Sequence, residues 1–404
     1  MYSSIVLPFD ADLAFDSSRE ESFFRAIPSH PGIFLIESRA ATNDTASQKP
    51  YLARTTDLRR AAERLLRTPE VPSKRLNLRE RAAKFCYRVT GSRFEQLFAL
   101  YEHARECIPS GYRDFLRLRP PALLKINLHS SYPRCYVTRR MLADGGFYFG
   151  PFASRQMAET FAGRFLDLFK IRRCQIKIRP DPSFSGCIYS EMKMCLAPCF
   201  AGCTKEEYDA EIAQVSAALA SQGASLVSSV EREREAASDA TDFERAAALH
   251  RRFEKITGVF RGLPEIVRRA DTLCAVILQR AAREKTVALF AITGGLICGP
   301  LFLCFDELSQ PRSVEEIIRE NFQHLAKMPD SFALQQCDTM SVGVAASSAP
   351  EACRRREEHL WILARWFYSK PREGEILFPE GDWPYRRIVR ACARLLAQSA
   401  PEKK

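Results

Sequence analysis

The stretch GCIYSEMKMCLAPCFAGC, Gly186–Cys203, holds four of the chain's 14 cysteines, and Cys174 stands just ahead of it. No other feature narrows the possible folds as much, because clustered thiols are cross-linked, ligating or simply buried. Cys174, Cys187, Cys195 and Cys199 follow the spacing C-x12-C-x7-C-x3-C, with Cys203 a further x3 beyond. Cys195 and Cys199 fall on the same side of a helical turn, and Pro198 between them suits a first turn or tight bend. The N-terminal MYSSIVLPFDADLAFDSS has neither a basic start nor a long apolar run, so a secretory leader is not expected. No run approaches the roughly 20 apolar residues that span a bilayer. The expectation is a cytoplasmic protein without a membrane segment, whose thiols stay reduced and ligate metal in preference to forming disulfides. Four thiolates suit a tetrahedral zinc or an iron–sulfur cube. The paired C-x2-C knuckles usual for zinc are lacking, and small buried cysteines without a ligand are the plainer alternative. Lys170, Arg172, Arg173, Lys177, Arg179 and Lys193 surround the set and are expected to lower the thiol pKa values.

With 404 residues the chain is expected to divide into two to four domains. Its net charge is +11, and Arg54–Arg93 alone carries 12 Lys/Arg against 4 Asp/Glu. Such clustering is the mark of a phosphate-binding surface or of a solvated helix face. PGIFLIES at Pro31–Ser38 reads as a strand, and KPYLARTTDLRRAAERLL as a strand running into a basic helix with Leu58, Ala61, Ala62 and Leu65 on its apolar side. A second helix is expected over Ser92–Cys107, with Phe94, Leu97, Phe98 and Tyr101 facing a core. Arg54, Arg59, Arg60, Arg64, Arg67, Lys74 and Arg75 are the candidate contacts to a nucleic-acid backbone.

From Lys205 to about Phe260 the pattern is an antiparallel helical hairpin, opened by the capping box Thr204–Glu207 and broken at SDATD, with Asp239 or Thr241 as the second cap. Beyond Arg268 come three strands, TLCAVILQR, TVALFAI and LICGPLFLCF, with a turn at Gly294-Gly295. Trp361, Leu363, Trp366 and Phe367 mark a helix packed into a core, and WPYRRIVRACARLLAQ a basic amphipathic helix on the surface. The fold class is α+β and multidomain, with units at 1–115, 116–204, 205–262 and 268–404.

The words FYFGPFASRQMAETFAGRFLDLFKIRRCQIKIR and CLAPCFAGCTKEEYDAEIAQV resemble the central region of the UvrC family, the incision subunit of bacterial nucleotide excision repair. The likeness rests on Gly150-Pro151-Phe152, the run Phe169–Cys174, and Cys195-Leu196-Ala197-Pro198-Cys199. It covers about residues 25–310 and is strongest over 145–210. It implies a 4Fe-4S cluster on Cys174, Cys187, Cys195 and Cys199, zinc being the alternative, with Cys203 left over. It also implies an N-terminal GIY-YIG nuclease fold, whose key positions are altered here. The water-activating tyrosine is Phe34, the second tyrosine is kept as Tyr51, its glycine is Ala53, and the lysine is Arg54. The helix arginine is Ala61 and the metal-binding glutamate is Leu100, with Glu95 or Glu102 as the nearby carboxylates. The module is therefore expected to be degenerate. DFERAAALHRRF resembles the UVR motif that binds the UvrB subunit, through Asp242, Phe243, Glu244, Ala246, Ala247 and Leu249. Thr241 and His250-Arg251 depart from that motif. The family's RNase H-like nuclease and DNA-binding hairpins are not recognised in Leu301–Lys404.

The expectation is thus a UvrC-like repair protein that binds DNA and a UvrB-like subunit without incision. One alternative is an active GIY-YIG-type endonuclease using a divalent metal at an altered site. Another is an iron–sulfur redox-responsive DNA-binding protein.

Overall fold

The computed structural model describes residues 7–39, 50–68, 76–306, 314–326 and 349–397, without the side chains of residues 321 and 323–326. Strands β1 (Ala11–Ala14), β2 (Gly32–Ser38), β3 (Tyr51–Thr55) and β4 (Ala82–Val89) form an antiparallel sheet in the order β1-β4-β2-β3. Period-two alternation sends Phe34, Ile36, Phe85 and Tyr87 to one face, where they meet α1 (Glu20–Ala26) and α2 (Leu58–Leu66). Ile33, Leu35, Leu52 and Cys86 take the other face and meet α3 (Arg93–Cys107). Helices α2 and α3 are each started by a side chain. Asp57 accepts the Arg60 N–H at 3.0 Å for α2, and Ser92 accepts the Glu95 N–H at 3.1 Å for α3.

After α4 (Tyr112–Leu116), a second sheet is built from β5 (Ala122–Ile126), β6 (Cys135–Thr138) and β7 (Phe147–Phe152) under α5 (Arg155–Leu166). The rings of Phe149, Phe161 and Phe165 stack through this layer at 5.7 and 5.6 Å. The cysteine segment follows, with one short helix, α6 (Ile188–Glu191). Three helices then succeed one another, α7 (Lys205–Ala220), α8 (Ala224–Asp239) and α9 (Phe243–Phe260). The expected capping box at Thr204–Glu207 is present. The expected first helix of the hairpin is in fact two. Gly223 turns the chain with φ +90°, and a Cβ there would lie 2.5 Å from the Phe260 ring. The second cap is Asp242, which accepts the Arg245 N–H at 3.0 Å, and not Asp239 or Thr241. Asp239 ends α8, and Thr241 adopts a left-handed φ of 57°.

The short β8 (Arg268–Arg269) pairs with β7 and completes the second sheet. The third sheet joins β9 (Ala275–Arg280), β10 (Thr286–Thr293) and β11 (Leu296–Cys304), with the expected Gly294-Gly295 turn at positive φ. Helices α10 (Val314–Ala326) and α11 (Ala349–Phe367) follow, then β12 (Glu375–Leu377) beside β9, and α12 (Tyr385–Ala397). Ile318, Phe322, Ile388 and Leu395 from α10 and α12 cover one face of this sheet. The other face receives α3, whose Phe94 and Phe98 rings stand 4.9 and 6.0 Å from Phe290.

Helix α3 is therefore clamped between the first and third sheets and buried from Phe94 to Ala104. Helix α11 closes the clamp with Trp361, Leu363 and Trp366, as the sequence indicated, but also with buried charge. Glu358 accepts from the Tyr101 and Tyr112 hydroxyls at 2.7 and 2.8 Å and pairs with Arg113 at 3.0 Å. Glu357 accepts the Met141 N–H at 2.8 Å, and His359 Nδ1 accepts the Ile297 N–H at 2.8 Å. The chain is mixed α and β with more than one unit around a shared core. Among the described residues no helix is long and apolar enough to cross a membrane.

Candidate functional site

The first sheet separates the five nuclease-like positions. Phe34 is buried, stacked on Phe85 at 5.1 Å and 6.1 Å from the Tyr51 ring. Phe34 lies opposite Ala53 and Ile36 opposite Tyr51, so Tyr51 and Ala53 share the α2 face with Phe34. Ala61 is buried in α2 on that side. A cavity of about 350 Å³ there is lined by Tyr51, Arg64, Leu65 and Leu76. Arg54, one residue out of phase, takes the α3 face, and Leu100 of α3 is buried in the core beneath it. The structure brings together Phe34, Tyr51 and Ala61, and puts Arg54 and Leu100 across the sheet.

The two nearby carboxylates are also on α3. Glu95 is 1% exposed, accepts the Gly91 N–H at 2.9 Å and has Arg88 at 3.8 Å. Burial pushes it up to about 7, against the pull of that N–H and of Arg88. Burial also acts to raise Glu102, but His359, Arg355 and Arg105 outweigh it and hold the carboxyl below the ordinary range. Neither lines the Tyr51 cavity.

The basic residues sort by partner. Arg59 Nε donates to the Ile27 carbonyl at 2.8 Å, which ties α2 to the end of α1. Arg67 pairs with Glu21 and Glu63 at 3.3 and 3.4 Å. Arg54, Arg60 and Arg64 are exposed and form no ion pair among the described residues. Arg365 of α11 joins them: burial, and then the charge of Arg54, depress its pKa. Sequence order gave no hint of this pairing, since the two residues lie on elements far apart in the chain. Lys74 and Arg75 lie outside the described residues.

The cysteine segment is anchored at both ends. Tyr208 of α7 accepts the Arg172 N–H at 3.1 Å and donates to the Pro133 carbonyl at 2.7 Å. The Leu196 N–H donates to Lys170 O at 2.9 Å. Lys193, Ala197 and Ala201 take left-handed φ values of 56–58°, which curl the loop tightly. Cys199 is buried, and Cys174, Cys187 and Cys195 are half-buried. Contrary to expectation, the pKa values of Cys195 and Cys199 are raised. Burial pushes Cys195 up to about 11, and the charges of Cys174, Cys199 and Cys187 add to it. The basic residues do not offset this. Arg172 is itself buried and donates to the Tyr132 and Ile176 carbonyls at 2.8 and 2.6 Å.

Cys195 senses Cys174, Cys187 and Cys199, and Cys199 senses Cys174 and Cys187, whereas Cys203 senses Cys199 alone of the set. The Ala197 N–H points to Cys195 Sγ at 3.3 Å, and the N–H groups of Cys199 and Phe200 face Cys199 Sγ. Like-charge repulsion together with N–H···S donors is a donor set that a cationic centre would relieve. As the side chains stand, no three His, Cys, Asp or Glu among the described residues form a ready metal site.

The α8–α9 pair projects with its tip in solvent. Asp242, Glu244 and Ala247 are exposed, Phe243 is 72% exposed, and Leu249 is buried inside the pair. Phe243 thus stands in solvent between two exposed acids at the tip of the pair.

Residues 122–218, with β5 to β7 of the second sheet, α5, the cysteine segment and most of α7, match the family described as the UvrC/Cho excinuclease middle domain. The likeness is to that middle domain and covers about a quarter of the chain. The UvrABC system protein C of Nitratidesulfovibrio vulgaris is 34% identical over 185 residues, 45% of this chain and 25% of that protein. Proteins of the same name from Dehalococcoides mccartyi and Moorella thermoacetica are each 23% identical, over 77% and 78% of this chain and 51% and 50% of theirs. The chain thus spans between a quarter and about half the length of these relatives. No solved structure matches it at comparable significance.

Proposed function

We infer that the chain is a DNA-binding adaptor of nucleotide excision repair that grips the phosphate backbone without cutting it. The observation that carries this reading is the division of the nuclease-like positions by the first sheet. Hydrolysis needs a metal ligand, a water-activating group and a cation around one phosphate. Here the hydroxyl is gone at Phe34, the carboxylate is gone at Leu100, and Arg54 lies across the sheet from Tyr51. Backbone gripping needs charge alone, which Arg54, Arg60, Arg64 and Arg365 present to solvent.

The hairpin tip, through Asp242, Phe243, Glu244 and Ala247, docks a UvrB-like subunit, and Leu249 holds the two helices together. Cys174, Cys187, Cys195 and Cys199 hold a 4Fe-4S cluster, with zinc as the competing ion. A metal bound there would require these thiols as thiolates, and its ligation would hold four points of the loop together. Arg172 and Tyr208 fix the loop for it, and the N–H groups of Ala197 and Phe200 stabilise thiolate charge.

The test is anaerobic purification with iron, sulfide and zinc assays, followed by incubation with damaged duplex, UvrA, UvrB and magnesium or manganese. The expected result is iron with sulfide, retention on UvrB, and an uncut strand. Cleavage that disappears in Tyr51→Phe overturns the adaptor reading in favour of the endonuclease. Iron is expected to be lost in Cys195→Ala and kept in Cys203→Ala; equal retention in both removes Cys195 from the ligand set.

A further inference from the structure

Where the first and third sheets meet, the turn into α3 presses on the turn between β9 and β10. A Cβ on Gly91 would come within 2.2 Å of the Ala281 carbonyl carbon, so the backbones touch there. Beside this contact lies a cavity of about 540 Å³, a volume within the range of small-molecule sites. Asp10, Arg88 and Glu95 line it from one side, and Arg283, Thr286 and Phe302 from the other.

Its polar floor is only partly satisfied. Glu95 and Arg88 are 1% and 6% exposed, yet 3.8 Å apart, an ion pair too long to be a hydrogen bond. Glu95 Oε2 accepts from Gly91, and Arg88 Nη1 donates to Pro8 O at 2.8 Å. Arg88 Nε is buried with no hydrogen-bond partner among the described residues, a condition that native proteins rarely leave unexplained. Asp10 is held by the Val89 N–H at 2.7 Å. On the opposite wall the Phe302 ring is 44% exposed, a flat apolar surface outside any core.

A buried carboxylate beside a guanidinium with an unfilled donor, facing an exposed ring, is the complement of a flat heterocycle with adjacent donors and acceptors. We propose that this cavity binds a nucleobase, preferentially guanine. The N1–H and 2-amino group of guanine donate to Glu95, its O6 and N7 accept from Arg88, and its ring stacks on Phe302. Burial that holds Glu95 near 7 makes the interaction pH-dependent, tightening as the carboxyl ionises between pH 6 and 8. Asp10, His30, Arg88, Arg283 and Cys304 share the cavity, so Glu95→Gln isolates the Glu95 share.

Calorimetric titration of the whole chain with GMP, IMP, AMP, CMP and inorganic phosphate tests the proposal. GMP is expected to bind at least about ten-fold tighter than AMP, CMP or phosphate, with IMP, which lacks the 2-amino group, between. Glu95→Gln and Phe302→Ala are each expected to weaken GMP about ten-fold, with the Phe302→Ala melting temperature unchanged. Equal affinity for all four nucleotides, binding of phosphate alone, or uptake of manganese without nucleotide overturns it. A second arm compares a duplex carrying guanine opposite an abasic site with the same duplex fully paired. Preference for the former, lost in Glu95→Gln, assigns the ligand to a base extruded from DNA; GMP binding without it assigns a free nucleotide. This arm alone rests on the DNA-binding reading. Loss of all duplex binding with GMP retained sinks that reading, and duplex binding without guanine selectivity in either arm sinks this one.

Discussion

Two residues of α3 show how burial decides what a carboxylate does. Glu95 is pushed up to about 7, chiefly by desolvation, so the folded state holds its proton more tightly than the unfolded chain. The stabilisation from that proton is complete below the ordinary glutamate range and is lost as pH rises through about 7. A shift of this size corresponds to ~3 kcal/mol across the window. Urea unfolding between pH 4 and 8 is expected to show this loss in the parent chain and a flatter profile in Glu95→Gln. Parallel profiles would mean that another group titrates. Leu100 makes the converse point. Introducing a carboxylate with Leu100→Glu places an unpaired acid in the core across the sheet from Tyr51. The expected outcome is a loss of about 3 kcal/mol with no strand cleavage, read by melting and by a nicking assay. That Phe34 carries no hydroxyl and Leu100 no carboxylate is read directly from the sequence. That these positions fall on opposite faces is not, because it depends on which helix covers which side.

At the scale of elements, the Thr204–Glu207 capping box was read from the sequence, whereas the cap of α9 is Asp242 and not Asp239 or Thr241. The break between α7 and α8 was missed, since SQG within an Ala- and Ser-rich run resembles tolerated helix interior. What makes Gly223 a break is the Phe260 ring, thirty-seven residues onward, occupying the space of its Cβ. The same elements give a separable pair of outcomes for the hairpin. Phe243→Ala, at a 72% exposed site, is expected to alter stability by less than about 0.5 kcal/mol while abolishing capture by UvrB. Leu249→Ala, inside the pair, is expected to cost about 2 kcal/mol. Equal capture by parent and Phe243→Ala, measured by surface plasmon resonance, would move the docking surface elsewhere.

At the scale of the whole molecule, α11 brings the three sheets to one core. Its Glu358 satisfies two tyrosine hydroxyls and Arg113 on α3 and α4, while Ile297 of the third sheet donates to His359. Removing one partner of such a buried set leaves charge and hydroxyls unpaired, so Glu358→Ala is expected to cost roughly 3–5 kcal/mol by chemical denaturation. A change below about 1 kcal/mol would mean that α11 packs by its apolar residues alone. By itself the sequence determined the periodic elements and the thiol spacing, because those signals lie within a few turns of chain. Only the tertiary structure decided which charges are buried, that Arg54 lies close enough to Arg365 to lower its pKa, and that a cavity opens between Glu95 and Phe302. Each depends on desolvation and on partners supplied from distant segments, which no local pattern encodes.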